Sequence, residues 1–240
     1  MSLYKIANVY IEMNPKYNRT LNQAKAYLTD DKVKPNLTID ERIEPIIKEY
    51  EERYSHLSKE DVEYIIYGSA FYDTLLKYNG FMLHSSCVIV DDEAYLFSAP
   101  SGTGKSTHTQ IYLKVFKERA KILNDDKPAI IIDNNNIYAY GTPFSGKTAL
   151  NLNEFYPIKG ICFIERSEDN FIEEMPSAKA IFNILNQTIR SITADKTDIL
   201  LDYIDKVVKN VPIFRLGCNM EDSAAILSYT TMKNYKKHGN

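Results

Sequence analysis

Eight residues in the middle of the chain, Ala99-Pro100-Ser101-Gly102-Thr103-Gly104-Lys105-Ser106, constrain the fold more than any other stretch. They match a phosphate-binding loop, with Ala where the pattern opens on Gly. Such a loop works by geometry. A strand must deliver it, and a helix must start at its end so that successive backbone N–H groups wrap an anion. Residues 93–97 read as that apolar strand. After Thr107, Ile111, Leu113, Val115 and Phe116 supply apolar positions to a stretch free of Gly and Pro, which reads as the helix.

A second match, Gly141-Thr142-Pro143-Phe144-Ser145-Gly146-Lys147-Thr148, fits the strict pattern better but lacks the context. It runs into Ala149-Leu150-Asn151-Leu152-Asn153, which alternates, and then Pro157, so no useful helix starts there. The first match is therefore taken as the phosphate loop. Gly102 and Gly104 let the backbone approach phosphate oxygens. A nucleotide cradle is expected over Ser101, Gly102, Thr103, Gly104, Lys105, Ser106 and Thr107, with Lys105 on the β- and γ-phosphates of ATP and the Ser106 hydroxyl on Mg2+.

A carboxylate for the magnesium should follow at the end of a neighbouring strand, and Asn124-Asp125-Asp126 supplies two. One can hold the metal and the other can take a proton from an incoming hydroxyl. Adjacent side chains on a strand point to opposite faces, so both tasks are served only if the strand ends there. Lys127-Pro128 favours that ending. The bland alternative is a solvated acidic turn like Asp91-Asp92.

Elsewhere, strand-like pieces fall at residues 4–13 and 36–39, with a short helix near 21–28 and a charged surface helix over 41–54. Ser58 with Asp61 reads as a helix start, and Gly80 as the stop. Short apolar runs then follow at 82–90, 94–99, 121–123, 129–132, 137–140 and 160–165, with a hairpin turn at Asp91-Asp92-Glu93. Helical periodicity returns at 178–192, 195–208 and 222–229, around a strand at 213–217. Mixed α/β is expected: a mostly mixed central β-sheet carrying the P-loop, with flanking helices. Residues 1–80 would form an accessory layer packed on a kinase-sized unit at 81–240, or the two would be continuous.

Composition excludes several classes. Lys+Arg 29 against Asp+Glu 32 leaves a net charge of -3, so no general affinity for nucleic acid is expected. The short basic end, Lys233, Lys236, Lys237 and His238, is too small to change that. The longest apolar runs are four residues, far short of a membrane span of roughly 20. Cys87, Cys162 and Cys218 are too scattered for a disulfide framework, and no signal-peptide pattern opens the chain, so a cytoplasmic location is expected. The 18 Tyr tempt one toward base stacking, but Tyr64, Tyr67 and Tyr72 sit on one proposed helix, where packing with a wet hydroxyl explains them.

His84-Ser85-Ser86, a strand hairpin, the Ser-Gly-x-Gly-Lys-Ser loop and Asp125-Asp126 occur in an order that resembles the kinase domain of HPr kinase/phosphorylase. That family is related to the phosphoenolpyruvate carboxykinase fold. The resemblance covers residues 83–126, more weakly 141–147 and 163–166, and is greatest to a subgroup of small HPr-kinase-like proteins. It implies Asp125 as base and Asp126 on magnesium, in that order or reversed. It places His84 near the reacting phosphoryl group, whereas the bland reading is a hydrogen-bonded strand residue. Lys147 and Arg166 are rival second cations for the γ-phosphate, or merely surface charges; Arg190 and Arg215 have less support. Residues 1–80 do not resemble that family's N-terminal domain.

The function expected is an ATP-dependent kinase acting on a hydroxyl, of serine in a protein or peptide. The alternatives are a small-molecule kinase or carboxykinase-like enzyme, and a nucleotide-binding regulatory module without chemistry. Neither nucleic acid nor a membrane is expected as partner; oligomers are left open.

Overall fold

Residues 2–13 form a hairpin, β1 (Ser2–Ile6) and β2 (Val9–Met13), in this computed structural model, which describes residues 1–40, 44–100, 102–189 and 193–236. Helix α1 (Asn18–Ala24) follows, and β3 (Leu37–Ile39) then joins β2 in parallel to complete a small sheet. Helix α1 starts earlier than periodicity suggests because its cap is remote. Its N-cap residue Tyr17 makes no side-chain cap bond; the backbone N–H groups of Lys16 and Arg19 instead donate to Glu63 and Glu60, both at 2.6 Å. Those carboxylates belong to α3 (Lys59–Leu75), which packs behind α2 (Glu44–Arg53). The Ser58 hydroxyl caps α3 as expected, accepting from Asp61 N at 3.1 Å. Asn79, at φ 57, makes the left-handed stop assigned to Gly80 from sequence; Gly80 is needed instead because a Cβ there would lie 2.5 Å from Ile131.

The run at 82–90 divides into β4 (Gly80–Met82) and β5 (Ser85–Val90), because the two join different partners. Strand β5 pairs with β6 (Glu93–Ser98) through a turn with Asp91 and Asp92 both at positive φ. Helix α4 (Lys105–Phe116), β7 (Ala120–Asn124), β8 (Ala129–Asp133) and β9 (Asn136–Tyr140) follow. Then come β10 (Phe155–Arg166), β11 (Phe171–Glu174), α5 (Ser177–Asn186), α6 (Ala194–Asn210), β12 (Ile213–Cys218) and α7 (Asp222–Asn234).

Among the described residues the main sheet has nine mixed strands, curled, with helices flanking it, and its principal path runs β4-β8-β9-β10-β6-β5-β7. Strand β10 is longer than the apolar run at 160–165. Its start pairs with β9, its middle with β6 and its end with β12, the last two in parallel. Strand β5 is buried on both faces and alternates between two cores. Cys87 and Ile89 face α5 and α6 with Leu96, Phe163, Ile184 and Leu200, while Val88 and Val90 face α4 and α7 with Phe97, Tyr112 and Met232.

A third apolar cluster crosses the proposed boundary at residue 80. It joins Ile6, Ile11, Tyr27, Tyr64 and Phe71 from the N-terminal layer to Met82, Ile131 and Phe144. No described helix is long and apolar enough to cross a membrane. Cys87, Cys162 and Cys218 are all free thiols. Lys233 of the basic end pairs with Glu93, while Lys237, His238 and Arg190 lie outside the described residues.

Candidate active site

Strand β6 ends at Ser98 and α4 begins at Lys105, so residues 99–100 and 102–104 lie in a strand-to-helix loop, as the motif requires. Gly102 and Gly104 take φ of 78° and 123°, which an L side chain rarely adopts, and a Cβ on either would meet nothing within 4 Å. Backbone conformation, not crowding, demands glycine there. Ser101 lies outside the described residues. By contrast, no helix follows Gly141–Lys147 along the chain; residues 149–153 are irregular, with a single bridge from Asn151 to Asn124.

Lys105 is buried, and its ammonium donates to Ala99 O at 2.9 Å. Burial lowers its pKa, partly offset by the charges of Asp126 and Asp125. Ser106 stands one residue on, in the first turn of α4, with Thr107 beside it. Clefts flank the loop. One, of about 470 Å³, is lined by Gly102, Gly104, Thr107, His108, Ile111 and Arg166. The other, of about 350 Å³, is lined by Ser98, Pro100, Lys179, Asn183, Gln187 and Arg215.

The paired carboxylates sit at the same sheet edge. Strand β7 ends at Asn124, whose side-chain oxygen accepts from the backbone N–H groups of Asp126 at 3.0 Å and Lys127 at 2.7 Å. That turn frees the two carboxylates from strand alternation, so they take different environments. Asp125 is buried beneath α4, and its Oδ1 accepts from Ser86 Oγ at 2.6 Å. Ser86 Oγ is in turn 2.9 Å from Thr109 Oγ1 on α4. Asp126 is partly exposed, with His84 Nε2 at 3.2 Å on one oxygen and Lys127 on the other. Burial by itself would raise the Asp126 pKa, but the His84 hydrogen bond and the Lys127 charge outweigh it and hold the group at about 2.

His84 occupies the break between β4 and β5. Its backbone N donates to Gln187 O at 2.7 Å and its Nδ1 lies 2.9 Å from Gln187 Oε1. This explains why α5 stops at Asn186, short of the expected 192: Gln187 leaves the helix to hold His84, and Thr188 Oγ1 bonds Met82 O. Residues 190–192 lie outside the described residues.

The two candidate second cations part company. Arg166 Nη2 donates to Gly102 O at 2.8 Å, with Nε 3.4 Å from Thr103 O, so it braces the loop's carbonyls inside the first cleft. Lys147 is exposed on the turn after Gly146, and a Cβ on Gly146 would stand 3.0 Å from Asp126 Cβ. Arg215 lines the second cleft and pairs there with Glu165, and also with Glu173.

Sequence reasoning missed Asn124, Gln187 and the role of the N-terminal tyrosines. Asn124 carried a signal, since an Asn two and three residues before free backbone N–H groups is a known turn former. Gln187 carried none. Tyr72 and Tyr64 do pack in the core, but their hydroxyls are not wet. Tyr72 Oη donates to Lys127 O at 2.5 Å and lies 3.0 Å from Thr142 Oγ1, and Tyr64 Oη accepts from Gly146 N at 2.8 Å.

Among the described residues no group of three or more His, Cys, Asp or Glu is placed to hold a metal. Magnesium does not require one. It usually takes one or two carboxylates and completes its shell with water and substrate phosphates. The ionised Asp126 and the Ser106 hydroxyl suit that donor set.

No protein-family model and no curated protein matches the chain. Among solved structures it is similar to the HPr(Ser) kinase/phosphatase from Coxiella burnetii, at 12% identity and a TM-score of 0.39, over 64% of this chain and 94% of that one.

Proposed function

We infer that the protein binds ATP at the loop of residues 101–107 and transfers its γ-phosphoryl group to a hydroxyl, of serine in a peptide or protein. The reading is carried by one observation. At a single sheet edge, a strand–loop–helix phosphate cradle with a buried lysine faces two carboxylates held in unlike environments.

Those environments separate the roles. Held at about 2, Asp126 stays ionised at any working pH and is a weak base, which suits a metal ligand. Asp125 makes no salt bridge among the described residues, feels Lys105 only through its charge, and has one oxygen held by Ser86. It is the better candidate to accept the hydroxyl proton. Magnesium, held by Ser106 and Asp126, would neutralise charge on the phosphates. The chain's own residues do the rest. Backbone N–H groups of residues 102–106 cradle the phosphates, and Lys105 releases Ala99 O to reach them. His84, braced by Gln187, stands beside the reacting group.

The test is incubation of the chain with γ-labelled ATP, magnesium and Ser-containing peptides, with protein-free and metabolite controls. Label in a peptide supports the reading. Label confined to a metabolite would make this a small-molecule kinase. Nucleotide bound without any label transferred would make it a binding module.

A further inference from the structure

The N-terminal layer grips the second loop at one residue. Gly146 N donates to Tyr64 Oη at 2.8 Å, and Gly146 O accepts from Arg19 Nη2 and Gln23 Nε2, each at 3.0 Å. Three side chains from α1 and α3 thus satisfy both backbone groups of the residue that touches Asp126. The clamp is itself braced. The Arg19 guanidinium lies 3.7 Å over the Tyr64 ring and pairs with Asp61, while α1 is capped by Glu60 and Glu63 from α3. Gly146 has φ 74°, and its missing side chain is what lets the loop approach Asp126. Phe144, two residues earlier, is buried against Tyr64, Phe71 and Tyr72. The next residue, Lys147, is exposed and has no partner among the described residues.

We propose that Tyr64, Arg19 and Gln23 are positioning residues. They fix Gly146, through the peptide units on both of its sides, against Asp126 and so aim Lys147 at the phosphoryl group being transferred. The N-terminal eighty residues are then a working part of the site rather than an accessory layer. The inference rests on the phosphoryl-transfer reading above. A fixed cation helps only where charge is redistributed in transfer, so the clamp should matter for the transition state and little for the ground state.

The experiment measures binding by the full chain of MgADP alone and of MgADP with fluoroaluminate, a mimic of the transferring phosphoryl group. Wild type should bind the fluoroaluminate complex at least tenfold more tightly than MgADP. Lys147→Met and Tyr64→Phe should each lose most of that gain while MgADP affinity stays within about twofold. The double variant should lose no more than Lys147→Met alone, since both act on one interaction. Arg19→Gln serves as a second clamp variant if Tyr64→Phe does not fold. The proposal is overturned if the clamp variants keep the full gain, or if their losses multiply with that of Lys147→Met. A wild type that binds MgADP but shows no fluoroaluminate gain overturns the phosphoryl-transfer reading and this inference with it. Absence of MgADP binding overturns nucleotide recognition as a whole.

Discussion

His84 Nε2 lies 3.2 Å from Asp126 Oδ1, and Lys127 holds the other carboxylate oxygen. The folded Asp126 pKa of about 2 is below its ordinary 3.8, so above pH 4 the group stabilises the fold by about 2 kcal/mol. That contribution falls away as pH drops from about 4 through 2. His84→Ala should move the Asp126 titration, followed by carboxyl carbon NMR, up toward the ordinary value. An unmoved titration would leave Lys127 as its sole cause.

Asp125→Asn keeps the shape and the bond from Ser86 but removes the base. Phosphoryl transfer should fall by about 10²–10⁴-fold, with MgATP affinity within about threefold of wild type. Normal transfer by the variant would reassign the base.

The two glycine loops should respond differently to alanine. At Gly104, φ 123° is strained for any side chain, and Gly104→Ala should abolish MgADP binding. At Gly146 the added Cβ meets Asp126 at 3.0 Å, so Gly146→Ala should leave MgADP binding near wild type while disturbing the Asp126 titration. Calorimetric titration and carboxyl NMR separate the two. Equal loss of MgADP binding in both would put the second loop in the nucleotide cradle.

His108 is buried on α4 with Nδ1 unpaired, and burial pulls its pKa down to about 4 from 6.5. The unfolded chain therefore takes up a proton below pH 6.5 that the folded chain refuses until about 4. Stability should fall across that window by up to about 3 kcal/mol. His108→Asn should flatten the fall in urea unfolding measured from pH 7 to 4. An unchanged slope would assign the acid sensitivity to other groups.

The strand, loop and helix around Lys105 were legible because one local pattern states all three. The Asp125-Asp126 turn was half legible: Pro128 marked the strand's end, but the Asn124 side chain that shapes the turn was not used. What could not be read was made by contacts distant in sequence. Nothing in residues 177–192 announces that Gln187 will leave a helix for His84. Glu60 and Glu63 cap a helix that starts some forty residues before them, so the local pattern around Asn18 misplaces it. The tyrosines of α3 do pack, as read, but their hydroxyls looked wet because the partners, Thr142 and Gly146, lie in a loop whose own motif pointed elsewhere. Strand β10 extends before the apolar run at 160–165 because its first residues pair with β9, a neighbour set by the fold and not by their own apolar pattern.

Strand β12 pairs in parallel with β10, and its last residues help wall both clefts. A chain emerging from the ribosome therefore presents the whole glycine loop, and even both carboxylates, long before the site has its sides. Gln187 and then Arg215 and Cys218 must leave the exit tunnel and fold back first. Until then the glycine loop is exposed without a finished cavity around it, so on the proposed reading nucleotide would not assist the early folding of this protein as it could a site closed by local contacts.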